Sequence, residues 1–93
     1  MKTYLMVYSD KLGDREAVKR ILGLMPEISH WRYDMPHSFY LWSESSAQEL
    51  VNSMVSHLGQ ASTKRFIITE ITDNRQGYLP RETWNFINQT ALR

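Results

Sequence analysis

Ninety-three residues, 42% hydrophobic and 23% charged, are enough for one globular domain and argue against a disordered chain. The formal net charge of +1 excludes attraction to nucleic acid by net charge alone, so any phosphate-binding surface has to be a local patch. The chain has no cysteine, which excludes disulfide frameworks and thiolate zinc sites. The start, MKTYLMVYSD, lacks the long apolar segment and small-residue cleavage site of a secretory leader, and no run reaches the length of a membrane span. A cytoplasmic protein with no membrane partner is therefore expected.

Taken in chain order, Thr3 to Tyr8 (TYLMVY) is apolar on both faces and predicts a central strand. Ser9 to Asp14 is a polar loop, with Asp14 placed to cap the next helix and Glu16 to sit in its first turn. In REAVKRILGLM the apolar residues Ala17, Val18, Ile21, Leu22 and Met25 recur at helical spacing, and Gly23 and Pro26 mark the fading end. SHWRYDM, Ser29 to Met35, alternates. Trp31, Tyr33 and Met35 fall on one face of that strand, and His30, Arg32 and Asp34 on the other. Pro36 and His37 lead into a return strand, Ser38 to Glu44, in which Phe39 and Leu41 oppose Tyr40 and Trp42.

Ser46 and Glu49 read as a capping box. The helix behind it carries the stripe Ala47, Leu50, Val51, Met54, Val55 and Leu58, and Gly59 stands where a C-cap glycine is expected. After the polar linker QASTK, the run RFIITEI predicts a strand with Phe66, Ile68 and Glu70 on one side. The turn-rich TDNRQGYLP then leads to a short final helix, with Pro80 at its first position and Thr83, Trp84 and Ile87 as its apolar face.

The order strand, helix, strand, strand, helix, strand predicts an α+β, ferredoxin-like βαββαβ domain over residues 1–93. Residues 1–72 form its core, a four-stranded antiparallel sheet with two helices on one face. Residues 73–93 add a loop and a short C-terminal helix. Such a sheet leaves its second face open. Tyr4, Tyr8, Tyr33, Tyr40 and Trp42 are placed there, as an apolar patch that a partner sheet, a second chain or the C-terminal segment has to cover.

Candidate chemistry gathers at the loop after the first strand. Asp10 and Asp14 are a carboxylate pair of the kind that holds magnesium against a phosphate. Turn and cap chemistry accounts for both residues without a metal, and local preference favours that reading. The three histidines, His30, His37 and His57, have no metal-ligand spacing between them. Lys11, Arg15, Lys19 and Arg20 cluster in and after the loop, and Arg32 stands between aromatics. An Arg beside exposed rings can stack on a base or contact a phosphate, which makes Lys11, Arg15 and Arg32 the candidate nucleic-acid contacts.

The segments TYLMVYSD, SFYLWSESSAQELVNSMVSHL, RFIITEIT and GYLPRETWNFI resemble the small CRISPR-associated ferredoxin-like nuclease subunit and, more closely, its stand-alone "SinR-like" bacterial relatives. The resemblance implies a homodimer joined through open sheet faces, contact with RNA or DNA, and magnesium as cofactor. Active relatives carry the key Asp directly after a Tyr at the end of the first strand. Here Ser9 follows Tyr8 and the carboxylate comes one place later, at Asp10. Successive strand residues point to opposite faces. Weak or no metal-dependent nuclease activity is therefore expected, with Asp10 the remaining candidate for catalysis and for metal. The alternative is a non-enzymatic module that binds another protein, antitoxin-like or a phage-encoded inhibitor.

Overall fold

The computed structural model describes residues 1–59 and 64–91. Its elements are β1 (Lys2–Tyr8), a single 3-10 turn (Asp10–Leu12), α1 (Arg15–Leu24), β2 (Ile28–Arg32), β3 (Ser38–Ser43), α2 (Ala47–Leu58), β4 (Phe66–Glu70) and α3 (Arg81–Ala91). The strands form one sheet in the order β2-β3-β1-β4, each neighbouring pair antiparallel. This is the α+β, ferredoxin-like arrangement that the element order predicts, with β1 central. Most of the linker Gln60 to Lys64 lies outside the described residues. Among the described residues no helix is long and apolar enough to cross a membrane.

Local chemistry sets the helix starts. The Asp14 carboxylate accepts from the Ala17 N–H at 2.8 Å and so satisfies an orphan donor of α1. At α2, Ser46 Oγ accepts from the Glu49 N–H at 3.1 Å, while Glu49 Oε1 accepts from the Ser46 N–H at 2.9 Å. Hydrogen bonding to Ser46, its backbone N–H foremost and then its side chain, holds the Glu49 carboxyl below its ordinary pKa. At α3, the Pro80 carbonyl accepts from the N–H groups of Thr83 and Trp84. Pro80 thus serves as the cap, one place before the position predicted for it.

The core lies between the sheet and α1 and α2. Tyr4, Met6 and Tyr8 of β1, Phe39 and Leu41 of β3 and Ile68 of β4 pack against Val18 and Leu22 of α1 and Leu50, Met54 and Leu58 of α2. The predicted open-face set therefore needs correction. The register pairs Tyr4 with Leu41 and Leu5 with Tyr40, so Tyr4 and Tyr8 face the helices, where they are buried. Tyr33 is also on the helix side, 5.9 Å from Phe39. Of that set, Tyr40 and Trp42 alone occupy the second face. Alternation fixes parity within a strand, but the register between strands decides which faces coincide.

Burial raises the pKa of the hydroxyls of Tyr4, Tyr8 and Tyr40. Tyr4 Oη donates to the Ser45 carbonyl at 2.6 Å. Tyr8 Oη is buried without a hydrogen-bond partner among the described residues. An unpaired buried hydroxyl is a net cost, so Tyr8→Phe is expected to match or exceed the parent in stability, by up to about 1 kcal/mol in urea unfolding. A loss of that size would show that the hydroxyl has a partner.

The C-terminal helix α3 lies across the second face. Trp42 stacks on Phe86 with ring centres 4.4 Å apart, and its Nε1–H donates to the Phe86 carbonyl at 2.9 Å. Thr3 Oγ1 reaches the Ile87 carbonyl at 3.4 Å, and Arg32 Nε donates to Thr83 Oγ1 at 2.9 Å. Thr83 and Ile87 are buried, as their place on the predicted apolar face requires, whereas Trp84 is half-exposed. Phe86, outside that predicted face, supplies the stacking ring. Val7 and Ile67, register partners on this same face, remain 43% and 61% exposed.

Candidate nucleic-acid interface

The helix cap at Asp14 fixes where α1 begins, and Arg15 is its first residue. Lys19 follows one turn later, on the same side of the helix. Both side chains reach over β2, the edge strand of the sheet. The Arg15 guanidinium stands 4.2 Å from the centre of the Tyr33 ring. Lys19 Nζ is 5.5 Å from the Trp31 ring and 5.9 Å from that of Tyr33. Such distances are within reach of cation–π attraction. Lys19 also pairs with Glu16 at 3.4 Å, an exposed contact that contributes little.

Trp31 stands on β2 and Tyr33 just past its end, and both rings lie on the helix side of the sheet against Phe39. Their rings are near-parallel, inclined by 15° with centres 6.3 Å apart. Phe39, fully buried, meets both edge-on at 5.7 and 5.9 Å. It forms the floor on which the two rings stand. Arg32 lies between them in sequence and projects to the opposite face, where Thr83 holds its Nε. A groove of about 430 Å³, bordered by Trp31, Arg32, Tyr33 and Phe86, thus wraps the β2 edge from one face to the other.

Of the predicted contacts, Arg15 and Arg32 meet at this edge from opposite faces. Lys11 sits on the 3-10 turn after β1. The strand directions put that turn at the same end of the sheet as Tyr33, but Lys11 does not border the groove. Lys19, Trp31 and Phe86 complete the site. Lys19 and Trp31 carried a sequence signal, four residues from Arg15 and two from Tyr33. Phe86 carried none, because its place depends on how α3 docks.

Asp10 is an exposed carboxylate at the start of the 3-10 turn, where Ser9 Oγ approaches it at 3.4 Å. Ser9 Oγ also accepts from the Lys11 N–H at 3.1 Å and caps the turn. Asp14 is engaged as the α1 cap. Among the described residues no three His, Asp or Glu side chains are grouped to hold a metal ion. Asp10 therefore belongs to no such group within one chain. The histidines stand apart. His30 meets Trp42 edge-on at 5.0 Å, His37 lies 5.7 Å from the Tyr8 ring, and His57 Nδ1 is 2.8 Å from the Ser53 carbonyl.

A second hollow lies between the loop before α3 and α3 itself. Arg75 borders it, donating to the Thr72 carbonyl at 3.0 Å and to Asn88 Oδ1 at 2.7 Å. Those bonds tie loop to helix and leave this guanidinium largely committed. The β2 edge is thus the place where cations and rings converge on an accessible surface. No family model matches the chain, and neither curated proteins nor solved structures include a significant match.

Proposed function

We propose that this ferredoxin-like domain binds single-stranded nucleic acid along the β2 edge without hydrolysing it. The observation that carries the reading is the placement of Arg15 and Lys19 directly over the parallel rings of Tyr33 and Trp31. Bases stack on such rings whatever their sequence, and cations beside them track the phosphates. Arg32 adds a charge on the far side of the groove. The engagement of Asp14 as the cap of α1, which leaves Asp10 without that carboxylate as a free partner, supports binding over cleavage.

The test is a titration of labelled single-stranded RNA and DNA at several salt concentrations. Phosphate contacts release counterions at about −0.7 in log–log slope per contact on single strands, so contacts by Arg15, Lys19 and Arg32 predict a slope of about −2. Arg15→Ala should lower the slope by about 0.7. Tyr33→Ala should weaken binding by about 1–3 kcal/mol while leaving the slope alone. Absence of binding at low salt would overturn the proposal and favour a protein partner. Incubation with Mg²⁺ is expected to leave the strand intact. Cleavage that Asp10→Ala abolishes would show instead that the metal-dependent activity survives.

A further inference from the structure

At the other side of the sheet, β4 is a free edge. Two hydrogen bonds fix which of its backbone groups are spent. The Ser9 N–H donates to the Arg65 carbonyl at 2.9 Å, and the Ile71 N–H donates to the Thr3 carbonyl at 2.8 Å. Bonded and non-bonded pairs alternate along an antiparallel ladder. Arg65, Ile67, Thr69 and Ile71 therefore turn their backbone groups toward β1, while Phe66, Ile68 and Glu70 turn theirs outward. Among the described residues no strand meets these outward groups.

Natural edge strands are usually blocked by proline, by a bulge or by a charge pointing inward. Neither proline nor bulge interrupts β4, and the one charge on its helix-side face, Glu70, stands exposed at the strand's last position. The strand contains neither Pro nor Gly, its register with β1 is unbroken, and Ile67 at its midpoint is 61% exposed. Its charges are segregated, with Lys64 and Arg65 before the strand and Glu70 at its end. An antiparallel copy places opposite charges together at both ends.

We infer that two copies of this chain pair antiparallel through β4, with the two-fold axis at Ile67, and so build one continuous eight-stranded sheet. In this register Phe66 exchanges backbone hydrogen bonds with the partner's Ile68, and Lys64 lies directly opposite the partner's Glu70, once at each end. Ile67 meets the partner's Ile67 in a close, non-bonded pair beside Val7. A shift to an axis at Ile68 also matches the outward groups, but it sets Phe66 against the partner's Glu70 and leaves Lys64 opposite a threonine. Charge therefore selects the first register. The assembly does not depend on nucleic-acid binding, and it leaves both β2 edges free at the two ends of the sheet.

Sedimentation over a wide concentration range tests this with the intact chain. A monomer–dimer equilibrium is expected. Lys64→Glu and Glu70→Lys, both at exposed positions, should each weaken it on the order of tenfold, because each turns two attractive cross-strand pairs into repulsive ones. Combining them should restore association to near the parent level. Amide exchange provides a second readout that needs no variant: the N–H groups of Phe66, Ile68 and Glu70 should become protected as concentration rises. A monomer at every concentration, indifference to single charge reversal, failure of the double variant to recover, or unchanged protection at these three amides would overturn the inference.

Discussion

Phe39→Ala is expected to remove about 3–5 kcal/mol of stability, measured as a lower midpoint in urea. A chain of this length has roughly 5–14 kcal/mol in total, so this one truncation leaves the domain close to unfolding. The magnitude follows from position. Phe39 is fully buried on the helix face of β3, within the main core and against the rings of Tyr8, Trp31 and Tyr33. Deleting it loses transfer energy and leaves a cavity that the surrounding strands can fill only partly. Phe39→Leu separates two roles. It keeps most of the volume and should cost less than about 1.5 kcal/mol, yet it withdraws the flat floor beneath Trp31 and Tyr33. Under the proposed function, the leucine variant should lose affinity for single strands while staying folded. Unchanged affinity would show that the two rings hold their positions without Phe39.

The element order and the helix caps were legible because they rest on local chemistry. Asp14, Ser46 with Glu49, and the stripe Leu50, Met54 and Leu58 act within one or two helical turns. The internal parity of each strand was legible for the same reason, and Phe39 with Leu41 do lie opposite Tyr40 with Trp42. What failed was the comparison of parity between strands. Tyr4 and Tyr8 look like members of an aromatic surface until the register sets Tyr4 beside Leu41. Both faces of TYLMVY are apolar, so hydrophobicity could not choose between them. The end of β2 was also misjudged. A register shift between Ile28 and His30 and the end of pairing at Arg32 leave Tyr33 beyond the strand, free to lie under Arg15.

The candidate site was half legible. Arg15 and Arg32 were chosen for their charge beside aromatics, and each does border the β2 edge. That they approach it from opposite faces follows from alternation, but that α1 brings Arg15 onto Tyr33 depends on helix docking. Lys11 and Asp10 were chosen by their closeness to the end of β1. The backbone there closes into a 3-10 turn capped by Ser9, which draws both residues into local geometry away from the groove.

Trp42→Ala is the second large effect expected, at about 3 kcal/mol, and it should act unevenly across the molecule. Trp42 joins α3 to the sheet in two ways, through the stack on Phe86 and through the Nε1–H bond to its carbonyl. The remaining ties from α3 are the Thr3 bond at 3.4 Å, the Arg32 bond to Thr83 and the buried Ile87. The core between the sheet and α1 and α2 does not include Trp42. Its loss should therefore free α3 first, with amide exchange accelerating across Arg81–Ala91 while β1 and β3 stay protected. Trp42→Phe keeps a ring against Phe86 and loses only the donor, for a cost of about 1 kcal/mol. Release of α3 also exposes Tyr40 and removes the Phe86 wall of the groove, so the alanine variant should bind single strands more weakly even where its sheet persists. If the α3 amides and the sheet amides instead exchange at one common free energy in both variants, then α3 unfolds together with the core, and the sheet's second face is as much a part of the cooperative structure as the first.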